Sequence, residues 1–390
     1  MTRIISIPLQ ESLSEEEPIE LGDITQPQYG HFLEEYELGK TFKHPRGLTI
    51  FPAFAQEFAT TFMQANPLYL NEHYAQSIGF ERMLVSPLMV LNIAFGLSVQ
   101  NDSEQAIAHL GYYDVIFTRP VYIGETLQSE TKVLYRRWRG VDKPGIVRVR
   151  TLARNQNREI VISYERAILV PPSETVLEEL SESGSPTSRK TDENLVIELP
   201  FSGPKSLRSL TGNNTYYEDY RLGQIILHRN GRTVTDEHIP WTYRLGNTHP
   251  LHYDRQYSST RTGPMSGEPT VFGGIVFAWL EGLASRDISE NALCDIGYTE
   301  GYHTNPVKTG DTLYALSRVL AKKDCQSDLG IGTITTQLVG IKNMTGEHAL
   351  EQYGQAIFQR ESNKQRNNRI PVKIFEIERR LLVKKGAAWI

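Results

Sequence analysis

The sequence predicts an α+β chain in which one domain is written twice. Three observations carry this reading. Motifs recur in one order at nearly one spacing, each copy sets a long apolar helix ahead of β-rich stretches, and an acidic, serine-rich segment separates the copies. Tyr36-Glu37-Leu38-Gly39, His44, Gly47 and Thr49 return as Tyr220-Arg221-Leu222-Gly223, His228, Gly231 and Thr233, each 184 positions later. Asn66-Pro67-Leu68-Tyr69 returns as His249-Pro250-Leu251-His252 at a spacing of 183, and Pro120 returns as Pro306 at 186. Ordered recurrence of this kind marks an internal duplication.

In chain order, residues 1–28 are polar, contain Pro18 and Pro27, and are expected as a loose leader. The first copy then spans 29–172. Its apolar run Leu88–Val99 predicts a buried helix, and the alternating runs Thr126–Tyr135, Gly145–Ala153 and Ile160–Val170 predict strands buried on one face. A linker over 173–199 is turn-prone and acidic. The second copy, 200–360, repeats the order with a helix at Ile275–Ala284 and strands at Thr312–Leu320, Ile331–Ile341 and Tyr353–Gln359. Residues 361–390 are basic with a β-like run at Val372–Val383, expected as a solvated tail or an added edge strand. One helix wrapped by an antiparallel sheet is the hot-dog arrangement, so the expectation is a double hot dog.

Composition narrows the function classes. Of 390 residues, 39% are hydrophobic and 22% charged, as in a soluble globular protein. A net charge of -5 gives no reason to expect nucleic acid or a membrane surface as partner. No run approaches the roughly 18 apolar residues of a membrane span. Met1–Pro18 lacks a signal-like core, and Cys294 and Cys325 lack metal-site spacing. These features predict a cytoplasmic protein. Phosphate-loop, dinucleotide, Gly-x-Ser-x-Gly and HExxH patterns are missing from the sequence, which supports neither metal nor nicotinamide chemistry.

The chemistry-bearing stretch is Asn247-Thr248-His249-Pro250-Leu251-His252, followed by Gly273-Gly274 at the start of the second apolar helix. An amide and an imidazole on one loop can hold and deprotonate a water. Backbone N–H groups at a glycine-opened helix start can receive an oxyanion. The matching positions of the first copy are Gln64, Tyr69 and Ser86-Pro87. These offer no base near neutral pH, and Pro87 lacks an N–H, so that half is expected to be catalytically silent. His73 lies off the motif and reads as a surface residue.

Gly246-Asn247-Thr248-His249-Pro250-Leu251-His252 with Gly273-Gly274 resembles the signature of the MaoC-like, R-specific enoyl-CoA hydratases, and the resemblance runs along both halves. Gln105–Tyr112, His303-Thr304-Asn305-Pro306 and Gly310-Asp311-Thr312 with Tyr314-Ala315 are similar to the mesaconyl-CoA hydratase (β-methylmalyl-CoA dehydratase) branch. That resemblance implies reversible hydration of a short, branched, dicarboxylic enoyl-CoA. The coenzyme A belongs to the substrate, and no separate cofactor is implied. Asn247 and His252 would be catalytic, Gly273 and Gly274 would supply the oxyanion site, and Arg244 would meet the distal carboxylate, with Arg255 and Arg261 as weaker candidates. Asn247 departs from the wider family, which has aspartate there. Homodimers or larger homo-oligomers are expected. Competing readings are an itaconyl-CoA or plain enoyl-CoA hydratase, a non-catalytic acyl-CoA-binding protein, and a thioesterase.

Overall fold

The computed structural model describes residues 27–140, 143–173, 183–185, 199, 200, 203, 207–211, 215–325 and 329–389. The leader up to 26 and most of the 173–199 linker lie outside the described residues. The first copy contributes β1 (Thr41–Thr49), β2 (Ala108–Phe117), β3 (Thr126–Arg137), β4 (Gly145–Arg154), β5 (Ile160–Val170) and the short β6 (Ser183–Gly184). The second contributes β7 (Ile225–Leu227), β8 (Arg232–Thr233), β9 (Ala292–His303), β10 (Thr312–Asp324), β11 (Ile331–Lys342) and β12 (Lys373–Lys384).

All belong to one 12-stranded sheet with the order β1-β3-β4-β5-β2-β9-β12-β11-β10-β7, while β6 pairs with β3 and β8 with β10. The order reads alike from both ends, so the two hot dogs are related by a pseudo-twofold axis between β2 and β9. The register at that seam agrees. Tyr112 pairs with Gly301 and Val115 with Tyr298, and 298 follows 112, as 301 follows 115, by 186. The predicted double hot dog is the fold observed.

Two apolar helices fill the sheet's concave face. The first, Pro87–Ser98, buries every residue after Pro87, and proline at its first position presets the helical φ without losing a needed donor. The second, Gly273–Ile288, is longer than the predicted Ile275–Ala284. They meet where Asn92 Nδ2 donates to the Gly274 carbonyl (3.1 Å), and a Cβ on Gly274 would stand 1.7 Å from Asn92 Oδ1. Each half also seats its loop on the other half's helix. A Cβ on Gly96 would fall 2.2 Å from Leu245 O, and one on Gly282 would fall 1.6 Å from Phe62 O. The loop carrying Asn247 and His252 is therefore built against the first copy.

Two expectations are corrected. Tyr353–Gln359 is not a strand, because Gly346–Tyr353 is a helix capped by Thr345 and Gly354–Phe358 continues as a tight 3-10 turn. Nor is 361–390 a solvated tail or an edge strand. It supplies β12, an almost wholly buried strand between β9 and β11, so the second hot dog runs to Lys384. Its charges are buried in pairs. Lys373 Nζ donates to Glu376 Oε2 (2.8 Å), and Arg379 grips Asp295 with Nε and Nη2 at 2.5 and 2.8 Å.

Candidate active site

The second copy's loop is shaped by its own backbone. A single helical turn, Trp241–Arg244, ends at Gly246, whose φ of +90° lies in the left-handed region that glycine tolerates. The Asn247 N–H then donates to Thr242 O (3.1 Å), and Asn247 Oδ1 accepts from the His249 N–H (3.0 Å). Asn247 is thus a loop cap through its oxygen. Its Nδ2 is buried with no hydrogen-bond partner among the described residues.

His249 caps the next turn, Pro250–His252, with Nδ1 accepting from the Leu251 N–H (3.2 Å). Its Nε2 therefore carries the proton and donates to Ala106 O (2.9 Å). His252 takes the opposite tautomer. Its Nδ1 lies 2.7 Å from the Thr270 carbonyl, which can only accept, so Nδ1 holds the proton and Nε2 keeps its lone pair. Burial, helped by His249, pushes the His252 imidazole down to about 3, and the ring is neutral across physiological pH.

Asn247, His249, His252 and Gly273 line one cavity of about 310 Å³ between the halves. Ile275 and Val276 donate to Phe272 O, and the Gly273 and Gly274 amides ahead of them have no intrahelical acceptor. Gly273 reaches the cavity wall; Gly274 does not and instead packs on Asn92. Arg244 is not brought to the cavity. Its side chain is 51% exposed, lies 3.5 Å from Glu57 and sits over Trp241. Arg255 pairs with Glu268 and Arg261 covers Tyr257, both off the cavity wall.

Sequence reasoning missed wall residues from elsewhere. His303 from β9 lies against Gly273, where a Cβ would meet its Nε2 at 2.6 Å, and burial pushes it down to about 4. His109 from β2 sits 5.9 Å from His303 between ring centroids, with neither ring nitrogen partnered among the described residues. Tyr112 and Arg166 of the first copy complete this wall. The only sequence signal was that His109 and His303 fall inside the branch-like motifs.

The matching place in the first copy is closed. Gln64 Nε2 donates to Ser86 Oγ (2.7 Å) and Glu281 Oε2 (3.1 Å), so the amide matching Asn247 is consumed. Burial raises the Tyr69 phenol well above its usual value, and the space beside it is about 40 Å³.

A solved MaoC domain protein dehydratase from Chloroflexus aurantiacus superposes with a TM-score of 0.75 at 28% identity, over 91% of this chain and 98% of that one. A double hot-dog protein of Mycobacterium tuberculosis shares the fold, with a TM-score of 0.71 at 18% identity over 90% and 98%. Fold and cavity together define a MaoC-like double hot-dog hydratase. A β-methylmalyl-CoA dehydratase of Chloroflexus aurantiacus is 31% identical over 322 residues, 80% of this chain and 89% of that protein. Residues 20–344 match the family model described as mesaconyl-CoA hydratase, and the chain belongs to that family. Among the described residues no helix is long and apolar enough to cross a membrane.

Proposed function

We propose that this hydratase adds water reversibly across the double bond of a short, branched, dicarboxylic enoyl-CoA such as mesaconyl-CoA, giving β-methylmalyl-CoA. The observation that carries the mechanism is the His252 tautomer: Nδ1–H is committed to Thr270 O, which leaves the Nε2 lone pair without a partner among the described residues in a cavity that Asn247, with its unpartnered Nδ2, also lines. A water bound there would accept from Asn247 Nδ2 and donate to His252 Nε2. As its oxygen attacks the β-carbon, its proton passes to Nε2 and the π electrons move to the thioester oxygen. The Gly273 N–H receives that oxyanion at the helix start. His252 then returns the proton to the α-carbon, and dehydration retraces the path.

A neutral imidazole with so low a pKa is a weak base alone. The substrate's own carboxylate would raise it on binding, because a nearby anion favours the imidazolium. Family membership and the 31% identical dehydratase support the acyl group named. In this reading the enzyme is cytoplasmic, works as a homodimer or larger homo-oligomer, and needs no cofactor beyond the substrate's coenzyme A. The test follows enoyl-thioester absorbance on mixing with mesaconyl-, itaconyl- and crotonyl-CoA. Bleaching fastest with mesaconyl-CoA is expected, and no bleaching with any of the three refutes the proposal.

A further inference from the structure

The pseudo-twofold pairs two buried arginines. Arg166 on β5 lies opposite Tyr112 of β2, and Arg379 on β12 lies opposite Tyr298 of β9, with Tyr112 and Tyr298 matched by the 186 spacing. At the silent site, Arg379 of the second copy is neutralised twice. Nε and Nη2 grip Asp295, and Nη2 also meets Glu281 Oε1 at 2.7 Å. The positions matching Asp295 and Glu281, 186 earlier, are His109 and Phe95. The active site therefore lacks both carboxylates while keeping the arginine.

The consequence is visible in the bonding of Arg166. Its side chain is fully buried, and Nη2 alone is engaged, with Ser98 Oγ at 3.0 Å, Asp102 Oδ2 at 2.9 Å and Ser103 Oγ at 3.0 Å. Nε and Nη1 are buried with no partner among the described residues, on an arginine that lines the cavity holding His252. The guanidinium stacks on Phe95, its Cζ 4.5 Å from the ring centre, in the place where Arg379 has Glu281. Buried donors left unmade are costly, and Nε and Nη1, on separate edges of the guanidinium, can each give a carboxylate oxygen a charge-assisted hydrogen bond. At the silent site Asp295 takes the Nε donor of its arginine, whereas at the active site Nε is left for a ligand.

We propose that Arg166, contributed by the catalytically silent half, is the specificity residue that binds the carboxylate on the β-carbon of the acyl-CoA. The naming of that acyl group rests on the hydratase reading above. The ligand chemistry is that of a thioester whose terminal carboxylate is separated from the carbonyl carbon by two carbons. The role assigned to Arg244 from sequence passes to Arg166.

The test is a binding measurement that needs no turnover. Succinyl-CoA and butyryl-CoA are both saturated and differ by a carboxylate or a methyl on the β-carbon. Titration calorimetry on the full chain is expected to show succinyl-CoA binding about 10- to 100-fold tighter, as charge-assisted hydrogen bonds allow. In the double variant Arg166→Met/Asp102→Asn, which leaves no unpaired buried charge, the ratio of affinities should fall to near one. Arg166→Lys keeps the charge without the planar set of donors and should retain part of the ratio. No preference in the unmodified protein overturns the inference, as does a preference that survives loss of Arg166. The outcomes separate from the hydratase reading. Hydration of mesaconyl-CoA with an unchanged ratio in the variants sinks only the role of Arg166. A ratio that collapses in a protein that hydrates nothing sinks only the hydratase.

Discussion

Replacing Asn247 with aspartate separates its two functions, because the two ends of the amide face different partners. Oδ1 caps the loop by accepting from the His249 N–H, and an aspartate oxygen would do the same. Nδ2 is the unpartnered donor, and aspartate would put a buried anion there. At roughly 5 Å from the substrate carboxylate and an effective dielectric of about 20, two unit charges repel by about 3 kcal/mol. At about 1.4 kcal/mol per decade that is roughly 200-fold. The expected result at pH 8 is a loss of that order in kcat/KM for mesaconyl-CoA and a much smaller one for crotonyl-CoA, whose β-carbon bears only a methyl. Lowering the pH should restore the variant, because a protonated aspartate regains a donor and loses its charge; burial raises its pKa and brings that recovery toward neutral pH. Asn247→Ala would instead lose both ends, giving a roughly tenfold to hundredfold fall in kcat and about 1–3 kcal/mol of stability from the orphaned His249 N–H. The assay is enoyl-thioester absorbance with both substrates from pH 5 to 8. An aspartate variant that keeps the wild-type ratio of the two substrates at pH 8 refutes the idea that this amide admits a dicarboxylic acyl group.

Three further outcomes are expected. Since the His252 imidazole is pushed down to about 3, its neutral, proton-accepting form is present throughout pH 5–8. Thus kcat/KM for crotonyl-CoA should not fall as pH drops from 8 to 5, and an acid limb centred near the ordinary histidine value of about 6.5 would contradict it. Gly96→Ala and Gly282→Ala should each cost about 1–3 kcal/mol in urea unfolding, because each Cβ meets a backbone oxygen. Only the former displaces the catalytic loop, so turnover per folded molecule should fall in it and hold within a few-fold in Gly282→Ala. Arg244→Ala should leave KM for mesaconyl-CoA within about twofold, since its surface pair with Glu57 is worth about 0–1 kcal/mol.

The repeat made the double hot dog legible, and it also explains where the reading failed. Five residues join β4 to β5, whereas 343–372 intervene between β11 and β12, so Arg166 and Arg379 stand 213 apart rather than 186. Tyr353–Gln359, expected as the last strand, falls inside that insertion and is helical. The true strand, β12, carries Lys373, Glu376, Glu378, Arg379 and Arg380, and a charged stretch reads as solvent-facing unless its buried partners are known. The same blindness hid the substrate's cation. Arg244 is three residues from Asn247 in the chain yet points to Glu57, while Arg166 comes from the other half of the molecule. Its trace in the sequence was the charged pair Glu165-Arg166 inside the otherwise largely apolar run Ile160–Val170. Asn247, His252 and Gly273 were legible because a loop and a helix start are local, whereas the wall formed by His109 and Arg166 depends on the β2–β9 seam.

One measurement bears most directly on the assignment of one active half using His252 as base: turnover of mesaconyl-CoA by His252→Ala beside Tyr69→Phe, its counterpart in the silent half. Loss of general acid–base assistance is commonly worth about 10²–10⁴-fold. His252→Ala should therefore lose at least about a hundredfold in kcat while remaining folded, and Tyr69→Phe should stay within a few-fold of the unmodified enzyme. Equal losses in the two variants, or full turnover by His252→Ala, would contradict the assignment.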